Sequence, residues 1–393
     1  MDKFSLYLHI PFCIHKCSYC DFNTYAGLEE LIPDYVRALC LEIEQFEMAA
    51  ERRLPLDTVF LGGGTPSLLP AGELERIFET IEYAFQLQTD AEITLEANPG
   101  TLSAVYLRDL RAIGVNRLSI GMQSSRPEEL ALLERQHSYM DVIRGVKEAR
   151  LAGFDNLNVD LIFGLPYQTL DSWQRSLDLV LELDPDHFSL YALTLEHGTP
   201  LHSWVDRGLV NAPDPDLAAE MYEWSADRLG TAGFEQYEIS NWARASGQKD
   251  FTCRHNLQYW RNQPYIGLGA GAHGFVGGFR TANVLAPAAY IRRCAAGEKR
   301  PFPRTAATLE GIPIDRSMEM RETLLMGLRL TEEGVSKDRF ERRFGTALER
   351  EFEAELSRLM RRGLLEWAGP DHSVLRLTPG ARLLGNQVFM EFV

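Results

Sequence analysis

Short apolar runs alternate with amphipathic segments along the first 242 residues of the chain. The runs lie at residues 5–10, 58–61, 93–95, 117–120, 158–163 and 187–193. Between them apolar residues recur every three or four positions, as at Leu74, Ile77 and Ile81, which is the period of a helix. Repeated strand and helix units predict an α/β fold with a parallel sheet buried on both faces. We expect a partial or full TIM-like (β/α) barrel, and a doubly wound open sheet is the alternative.

The alternation stops near residue 242, and the remaining chain divides into two segments. Residues 243–312 are dense in glycine and aromatic residues, so we expect a loop-rich connecting region with a linker at 297–313. Residues 313–393 show two helical apolar faces and then a short strand pair at 364–367 and 374–377. Helices followed by a β-hairpin predict a small winged-helix-like α+β domain. Such modules often bind DNA, but a fold does not settle a function.

Composition narrows the class of partner. Asp and Glu number 56 against 40 Lys and Arg, giving a formal net charge of -16. Nucleic acid and anionic membranes attract positive fields, so we expect no nucleic-acid partner and at most peripheral membrane association. The N-terminal segment has too short an apolar run for a secretory signal, which favours a cytoplasmic location. A DNA-binding regulator that uses the C-terminal domain is therefore a weak alternative.

Unusual polar residues follow the ends of the predicted strands. Three cysteines come just after the first run, glycines 62–64 follow the second, and Glu96 ends the third. Gln123 follows the fourth run, and Asp160 lies within the fifth. Ligands of parallel α/β folds bind at the carboxyl ends of the strands. We therefore expect these residues to share one face.

The strongest chemical signal is the C-x3-C-x2-C spacing of Cys13, Cys17 and Cys20. Three thiolates can bind three irons of a [4Fe-4S] cube, whose full complement is four cysteines, and the fourth iron is then open. A zinc site is the competing interpretation, with His9 or His15 as the fourth ligand.

This spacing, with Tyr7-Leu-His-Ile-Pro-Phe before it and Asp21-Phe22 after it, resembles the radical-SAM superfamily. It is most similar to the branch that contains oxygen-independent coproporphyrinogen III oxidases and haem chaperones. The resemblance runs through nearly the whole chain. It implies a [4Fe-4S] cluster on the three cysteines, S-adenosylmethionine (SAM) on the open iron, and an electron donor for the cluster.

The resemblance also implies a set of SAM-contacting residues. They are Tyr7, Tyr19, Gly63, Gly64, Thr65, Glu96, Gln123, Arg135 and Asp160. The glycines would let backbone approach the methionine group closely, because they lack Cβ. Asp160 stands out without the resemblance, since a charge inside an apolar run is costly unless it is paired or bound.

Two features favour the chaperone branch over the oxidases. The His255-Asn-Leu-Gln-Tyr259-Trp260 stretch resembles the HNxxYW motif of that branch, where a histidine beside aromatic residues suits an axial haem ligand. The oxidases carry the pattern C-x3-C-x2-C-x-C and a long extension before the cluster. This chain has Phe22 at the position of the last cysteine, and twelve residues precede Cys13. The expected function is therefore haem binding and transfer to haem-dependent respiratory enzymes. Radical-SAM oxidative decarboxylation of coproporphyrinogen III is the alternative.

Overall fold

The computed structural model describes residues 3–247 and 249–393. Within that part of the chain, no helix combines the length and the hydrophobicity that a membrane crossing requires. The chain forms two compact units, one of residues up to Arg228 together with Pro264–Ile312, the other of Leu229–Gln263 and Pro313–Val393.

The strands, in chain order, are β1 (Phe4–Ile10), β2 (Phe12–Cys13), β3 (Tyr25–Ala26), β4 (Pro55–Gly63), β5 (Gln86–Ala97), β6 (Arg117–Gln123), β7 (Leu157–Phe163), β8 (His187–Ala192), β9 (Phe234–Glu238), β10 (Asn241–Arg244), β11 (Tyr265–Leu268), β12 (His273–Val276), β13 (Phe279–Asn283), β14 (Thr308–Pro313), β15 (Val335–Ser336), β16 (Leu365–Ala368) and β17 (Val374–Leu377). The helices are α1 (Ile32–Ala50), α2 (Ala71–Ala84), α3 (Ala104–Ile113), α4 (Pro127–Leu132), α5 (Tyr139–Leu151), α6 (Leu170–Leu181), α7 (Pro200–Asp206), α8 (Pro215–Thr231), α9 (Arg254–Trp260), α10 (Pro287–Ala296), α11 (Arg316–Gly327), α12 (Lys337–Phe344), α13 (Leu348–Glu351), α14 (Glu353–Arg361) and α15 (Gly385–Phe389).

The first unit is built on a large, mostly parallel sheet. Its strands follow the order β14-β13-β12-β11-β1-β4-β5-β6-β7-β8. The steps from β1 through β4, β5, β6 and β7 to β8 are all parallel, and each new strand joins the same side. A doubly wound sheet reverses direction after its first strands, whereas a barrel winds onward in one direction. The predicted barrel-type order is confirmed over the doubly wound alternative.

Buried strands and one-sided helices give this unit its core. In α2 the residues Leu74, Ile77 and Ile81 are fully buried, as their spacing predicts. Helix α3 is capped by Gly114, whose φ of 108° is left-handed and favours glycine, the residue without a Cβ to clash there. The helices thus cover the sheet and leave its carboxyl edge to the connecting loops.

The second unit contains the winged-helix-like domain. Helices α11, α12 and α14 combine with a three-stranded sheet of order β15-β17-β16. Strands β16 and β17 form the predicted antiparallel pair, with Leu365 opposite Leu377. Leu324, Phe340 and Leu356 are buried in one apolar core. The C-terminal part of the fold class is therefore confirmed.

Two segments differ from the sequence expectations. The region expected to be rich in loops contains α9, α10 and strands β11 to β14, and β11 pairs in parallel with β1. Its strands are short and glycine-rich, so they carry little of the alternation that marks a strand. The apolar face through Leu348 and Leu359 is split between α13 and α14 at Phe352, whose φ is -125°. The domain boundaries near residues 242 and 312 stay predictions.

Candidate functional site

The three cysteines of the motif lie on one loop beyond the carboxyl end of β1. Cys13 ends β2, and the backbone N–H of Cys20 donates to the carbonyl of Cys17 at 3.2 Å. The Ser18 hydroxyl fastens this loop by donating to the carbonyl of Leu132 at 2.7 Å. All three thiols are partly exposed, unlike those of the other cysteines, which are buried: Cys40, Cys253 and Cys294. The loop thus presents three accessible thiols at the predicted end of the sheet.

Two side chains donate to these thiols. The Thr65 hydroxyl lies 3.7 Å from Sγ of Cys13, and Nη1 of Arg135 lies 3.6 Å from Sγ of Cys17. Burial raises the pKa of the Cys13 and Cys20 thiols above the usual range. A thiol with a raised pKa stays protonated at neutral pH unless a metal ion or another strong positive charge stabilises the thiolate. The surroundings suit metal-bound thiolates better than free ones.

The histidines considered for a zinc site have other partners. The ring of His9 contacts the Tyr7 hydroxyl through Nδ1 at 3.0 Å and the carbonyl of Asn23 through Nε2 at 2.9 Å. The ring of His15 lies 3.6 Å from the Glu134 carboxylate. Within residues 3–247 and 249–393, no three His, Cys, Asp or Glu side chains form a group that could share one metal ion. Thiols on a [4Fe-4S] cluster each bind a different iron, so they need not converge on one point.

The glycines after β4 pack closely against the His9 ring and against neighbouring backbone. A Cβ on Gly63, whose φ is +109°, would lie 2.5 Å from the His9 ring. A Cβ on Gly64 would lie 2.5 Å from the carbonyl oxygen of Phe12 and 2.9 Å from that of Ile10. The Gly64 N–H donates to the same Ile10 oxygen at 2.8 Å. These glycines therefore hold the loop after β4 against the end of β1 and the start of the cysteine loop.

Two carboxyl groups lie on the strands that flank β6, with Glu96 near the end of β5 and Asp160 in the middle of β7. The Gly63 N–H donates to Oε2 of Glu96 at 3.1 Å, while burial and the nearby Asp160 raise the pKa of Glu96 to about 8. Asp160 accepts hydrogen bonds from Ser119 at 2.9 Å and from Asn158 at 2.8 Å, and burial raises its pKa. The two groups influence each other electrostatically, and their oxygens can accept hydrogen bonds from hydroxyl or ammonium groups.

The remaining predicted residues border the same region. Tyr7 stacks on Phe60 with ring centroids 6.3 Å apart. Burial raises the pKa of Tyr19, and the charge of Arg135 opposes that rise. Gln123 has a φ of +66° at a register shift between β6 and β7. Left-handed backbone at a residue other than glycine is strained and is found disproportionately at functional sites.

The structure therefore brings most of the predicted residues to one edge of one unit. Those in the first unit are Tyr7, Cys13, Cys17, Tyr19, Cys20, Gly63, Gly64, Thr65, Glu96, Gln123, Arg135 and Asp160. His255 belongs to the second unit, where it lies in α9 and is 1% exposed. Its Nε2 is 3.0 Å from the Tyr259 hydroxyl, and the two rings meet edge-on.

The chain is similar in sequence to known protein families and to individual proteins. Residues 7–180 match the family model described as the Radical SAM superfamily, and residues 314–384 match the HemN C-terminal domain. The chain is 38% identical over 391 residues to "Heme chaperone HemW" of Bacillus subtilis, covering 99% of both chains. It is 35% identical to the Lactococcus lactis protein of the same name, over 99% of this chain and 97% of that one. The chain belongs to the HemW family of radical SAM proteins.

A solved structure confirms the fold of this HemW-family chain. The coproporphyrinogen III oxidase HemN of Escherichia coli superposes with a TM-score of 0.83 over 100% of this chain and 90% of that one. The two sequences are 24% identical, so the likeness establishes the fold and not the reaction. The predicted radical-SAM barrel with a further C-terminal domain is confirmed.

Membership in the superfamily implies a [4Fe-4S] cluster and SAM, and the residues present fit both. One loop supplies three thiols, and the Arg135 guanidinium lies beside the Cys17 thiol. The Nε of Arg135 is buried without a hydrogen-bond partner. The acceptors Glu96 and Asp160 lie within the same unit. Three thiols leave one iron of the cube for another ligand.

A buried carboxylate that no sequence pattern indicates supports the site. Glu42 of α1 accepts hydrogen bonds from the Gly269 N–H at 2.8 Å and the Tyr290 hydroxyl at 2.6 Å. Its other oxygen accepts from Asn283 and from Thr305, each at 2.7 Å. These partners are more than 220 positions away along the chain, so a local pattern carries no sign of them.

The cysteine loop is in turn held by the segment that Glu42 fixes. The Asn23 amide donates to the carbonyls of Ala270 and Leu285, each at 3.0 Å. A Cβ on Gly271 would lie 2.4 Å from the same amide nitrogen. The glycine-rich turn after β11 is therefore a support for the cysteine loop, which its composition alone did not reveal.

Proposed function

We propose that this chain is a haem chaperone, which binds haem and transfers it to haem-dependent enzymes of respiration. The observation that carries the proposal is the full-length similarity to proteins named heme chaperones, at 38% and 35% identity. The HNxxYW stretch of the chain, 255–260, and the absence of a fourth cysteine at Phe22 agree with it.

The proposed cofactors are a [4Fe-4S] cluster on Cys13, Cys17 and Cys20, and SAM. We assign SAM binding to Tyr7, Tyr19, Gly63, Gly64, Thr65, Glu96, Gln123, Arg135 and Asp160. When bound, the cluster would supply an electron, received from a separate donor, for reductive cleavage of SAM. The chain's own groups position the ligands. The Arg135 guanidinium offsets thiolate charge, and the carboxyl pair offers acceptors for ribose hydroxyls or the ammonium group.

The proposed haem ligand is His255. An axial ligand needs a free ring nitrogen in an apolar setting, and α9 supplies the aromatic neighbours. In the structure Nε2 of His255 contacts the Tyr259 hydroxyl at 3.0 Å, so haem binding through Nε2 requires that this contact open. Tyr259 thus competes with the iron for the imidazole.

A haem titration with two variants tests this proposal. We expect the anaerobically reconstituted protein to bind haem near one per chain and to show a Soret band. His255→Ala should shift that band because it removes the imidazole. Tyr259→Phe removes the same hydrogen bond and keeps the imidazole, so it is the matched control and should retain the wild-type spectrum or bind more tightly. A wild-type spectrum in His255→Ala would remove the ligand assignment and leave the chaperone proposal.

The same sample separates the chaperone from an oxidase. Incubation with coproporphyrinogen III, SAM and a reductant should yield no protoporphyrinogen. Release of carbon dioxide in step with loss of substrate would instead establish radical-SAM decarboxylation. We place the protein in the cytoplasm, with haem, haem-acceptor enzymes and an electron donor as partners.

A further inference from the structure

Strand β6 ends in a three-residue turn centred on Gln123. The Ser124 N–H donates to the carbonyl of Met122 at 2.8 Å, and the φ of Gln123 is +66°. A γ-turn with a positive central φ is the rarer and more strained of the two forms. Strained backbone persists only where the surrounding structure holds it. The turn therefore requires groups that fix the chain on both sides of Gln123.

Two side chains hold the strand that leads into the turn. Nη2 of Arg135 donates to the carbonyl of Gly121 at 2.7 Å, and Nε2 of His137 donates to the carbonyl of Met122 at 2.9 Å. Both donors come from the segment that follows α4. The two carbonyls before Gln123 are therefore fixed from one direction.

Glu129 of α4 holds the other side of the turn. Its carboxyl group is buried, with the residue 5% exposed, and Oε2 accepts from the Ser124 hydroxyl at 2.5 Å. The same oxygen accepts from Nε2 of Gln168 at 3.1 Å, and Oε1 accepts from the Ser172 hydroxyl at 3.2 Å. Three donors satisfy the buried group. Glu129 thus ties Ser124, the residue next to Gln123, to the start of α6.

The side chain of Gln123 turns back over Gly121. A Cβ on Gly121 would lie 3.0 Å from Nε2 of Gln123 and 3.4 Å from Nη2 of Arg135. Gly121 is in register with Asp160 of β7, and register partners in a sheet present their side chains to the same face. The Gln123 amide therefore lies beside Arg135 on the face that carries Asp160, and both of these residues are assigned to SAM above.

We propose that Glu129, acting through Ser124, is a positioning residue for SAM, because it holds the strained turn that directs the Gln123 amide at the ligand. The proposal rests on the assignment of Gln123 to the SAM site above. An amide that is already in place loses less conformational freedom on binding than a mobile one. Without the bond between Ser124 and Glu129 the turn can relax, and the amide leaves its position.

The test is a double-mutant cycle on SAM affinity, measured by isothermal titration calorimetry of iron-replete, anaerobically reconstituted protein. Ser124→Ala removes the bond to Glu129 and should weaken SAM binding by about three- to tenfold, the usual contribution of one hydrogen bond. In a Gln123→Ala background the same change should have no further effect, because the group that it positions is absent. Ser125→Ala is the matched control. Its hydroxyl pairs with that of Ser176 on α6 at 2.8 Å, and its loss should leave SAM affinity unchanged.

A second variant changes the carboxyl group itself and does not depend on the folding of Ser124→Ala. Both oxygens of Glu129 face donors, so the NH2 of Glu129→Gln must oppose one of them. This variant should also weaken SAM binding, and again only while Gln123 is present. The proposal is overturned if the two changes weaken binding equally with and without Gln123, or if neither weakens it. Failure of the wild type to bind SAM would instead refute the proposed cofactor, so the two failures are distinguishable.

Discussion

The glycine at position 64 offers the sharpest test of how the site is held together. Adding a methyl group there as Gly64→Ala places Cβ 2.5 Å from the carbonyl oxygen of Phe12. That neighbour is backbone and cannot rotate away as a side chain would. Cβ atoms essentially never approach another heavy atom closer than 3.0 Å, so the loop after β4 must move by about 0.5 Å, the difference between these two distances.

The cost of this movement can be compared with a site where the same change has room. Overpacking of this kind costs about 1–3 kcal/mol. Gly72 lies in α2 and has no atom within 4 Å of its hypothetical Cβ. Gly72→Ala should therefore stabilise the protein by about 0.5–1 kcal/mol, because alanine is the better helix former. The same glycine-to-alanine change should thus destabilise the protein at position 64 and stabilise it at position 72.

The assay is thermal unfolding of the apo and reconstituted proteins, together with iron per chain. Gly64→Ala should unfold at a lower temperature, at about 2–4 °C per kcal/mol for domains of this size. It should also retain less iron, because the displaced loop carries Thr65, the donor to Cys13. Equal stability of the two variants, with full iron in both, would refute this account of the glycines.

Three further changes test separate parts of the account. Glu238 is fully buried and burial raises its pKa to about 7, so the free energy of unfolding should fall by about 3 kcal/mol as pH rises from 4.5 to 7. Glu238→Gln should flatten that dependence, whereas Glu235→Gln, on the exposed side of the same strand, should leave it unchanged. If the unfolding free energies of Glu238→Gln and the wild type varied with pH in parallel, the assignment would be wrong. Cys17→Ala should abolish cluster assembly while Cys40→Ala keeps about four irons per chain by iron analysis; iron binding in both would remove the motif from the cluster. Asp160→Asn should weaken the change that SAM causes in the spin resonance spectrum without loss of iron, and an unaltered response would exclude Asp160 from the SAM site.

The sequence was sufficient to predict the six parallel strands β1 and β4 to β8. Continuous apolar runs mark buried parallel strands, and β1, β7 and β8 begin and end within about a residue of their predicted bounds. The shared location of the cysteines, Glu96 and Gln123 could be predicted because parallel strands end at a common edge of the sheet. Asp160 stood out because a charge within an apolar run requires a partner, and it has two.

What the sequence did not reveal depends on contacts between distant segments. Strand β11 has four residues, too few for a clear pattern, yet it pairs with β1 across more than 250 positions. Glu42 looks like an ordinary helix glutamate, and only its four donors from the far end of the unit show why it is buried. Phe352 breaks a helix whose apolar spacing continues on both sides.

The central claim is that the protein carries haem and gives it up to an acceptor. The most direct measurement is transfer from the haem-loaded, desalted protein to the haem-free form of a bacterial respiratory cytochrome b. We expect the Soret band of the loaded protein to decline as that of the cytochrome appears, with one haem transferred per chain. No transfer, or transfer from the loaded protein no faster than from free haem alone, would contradict the claim.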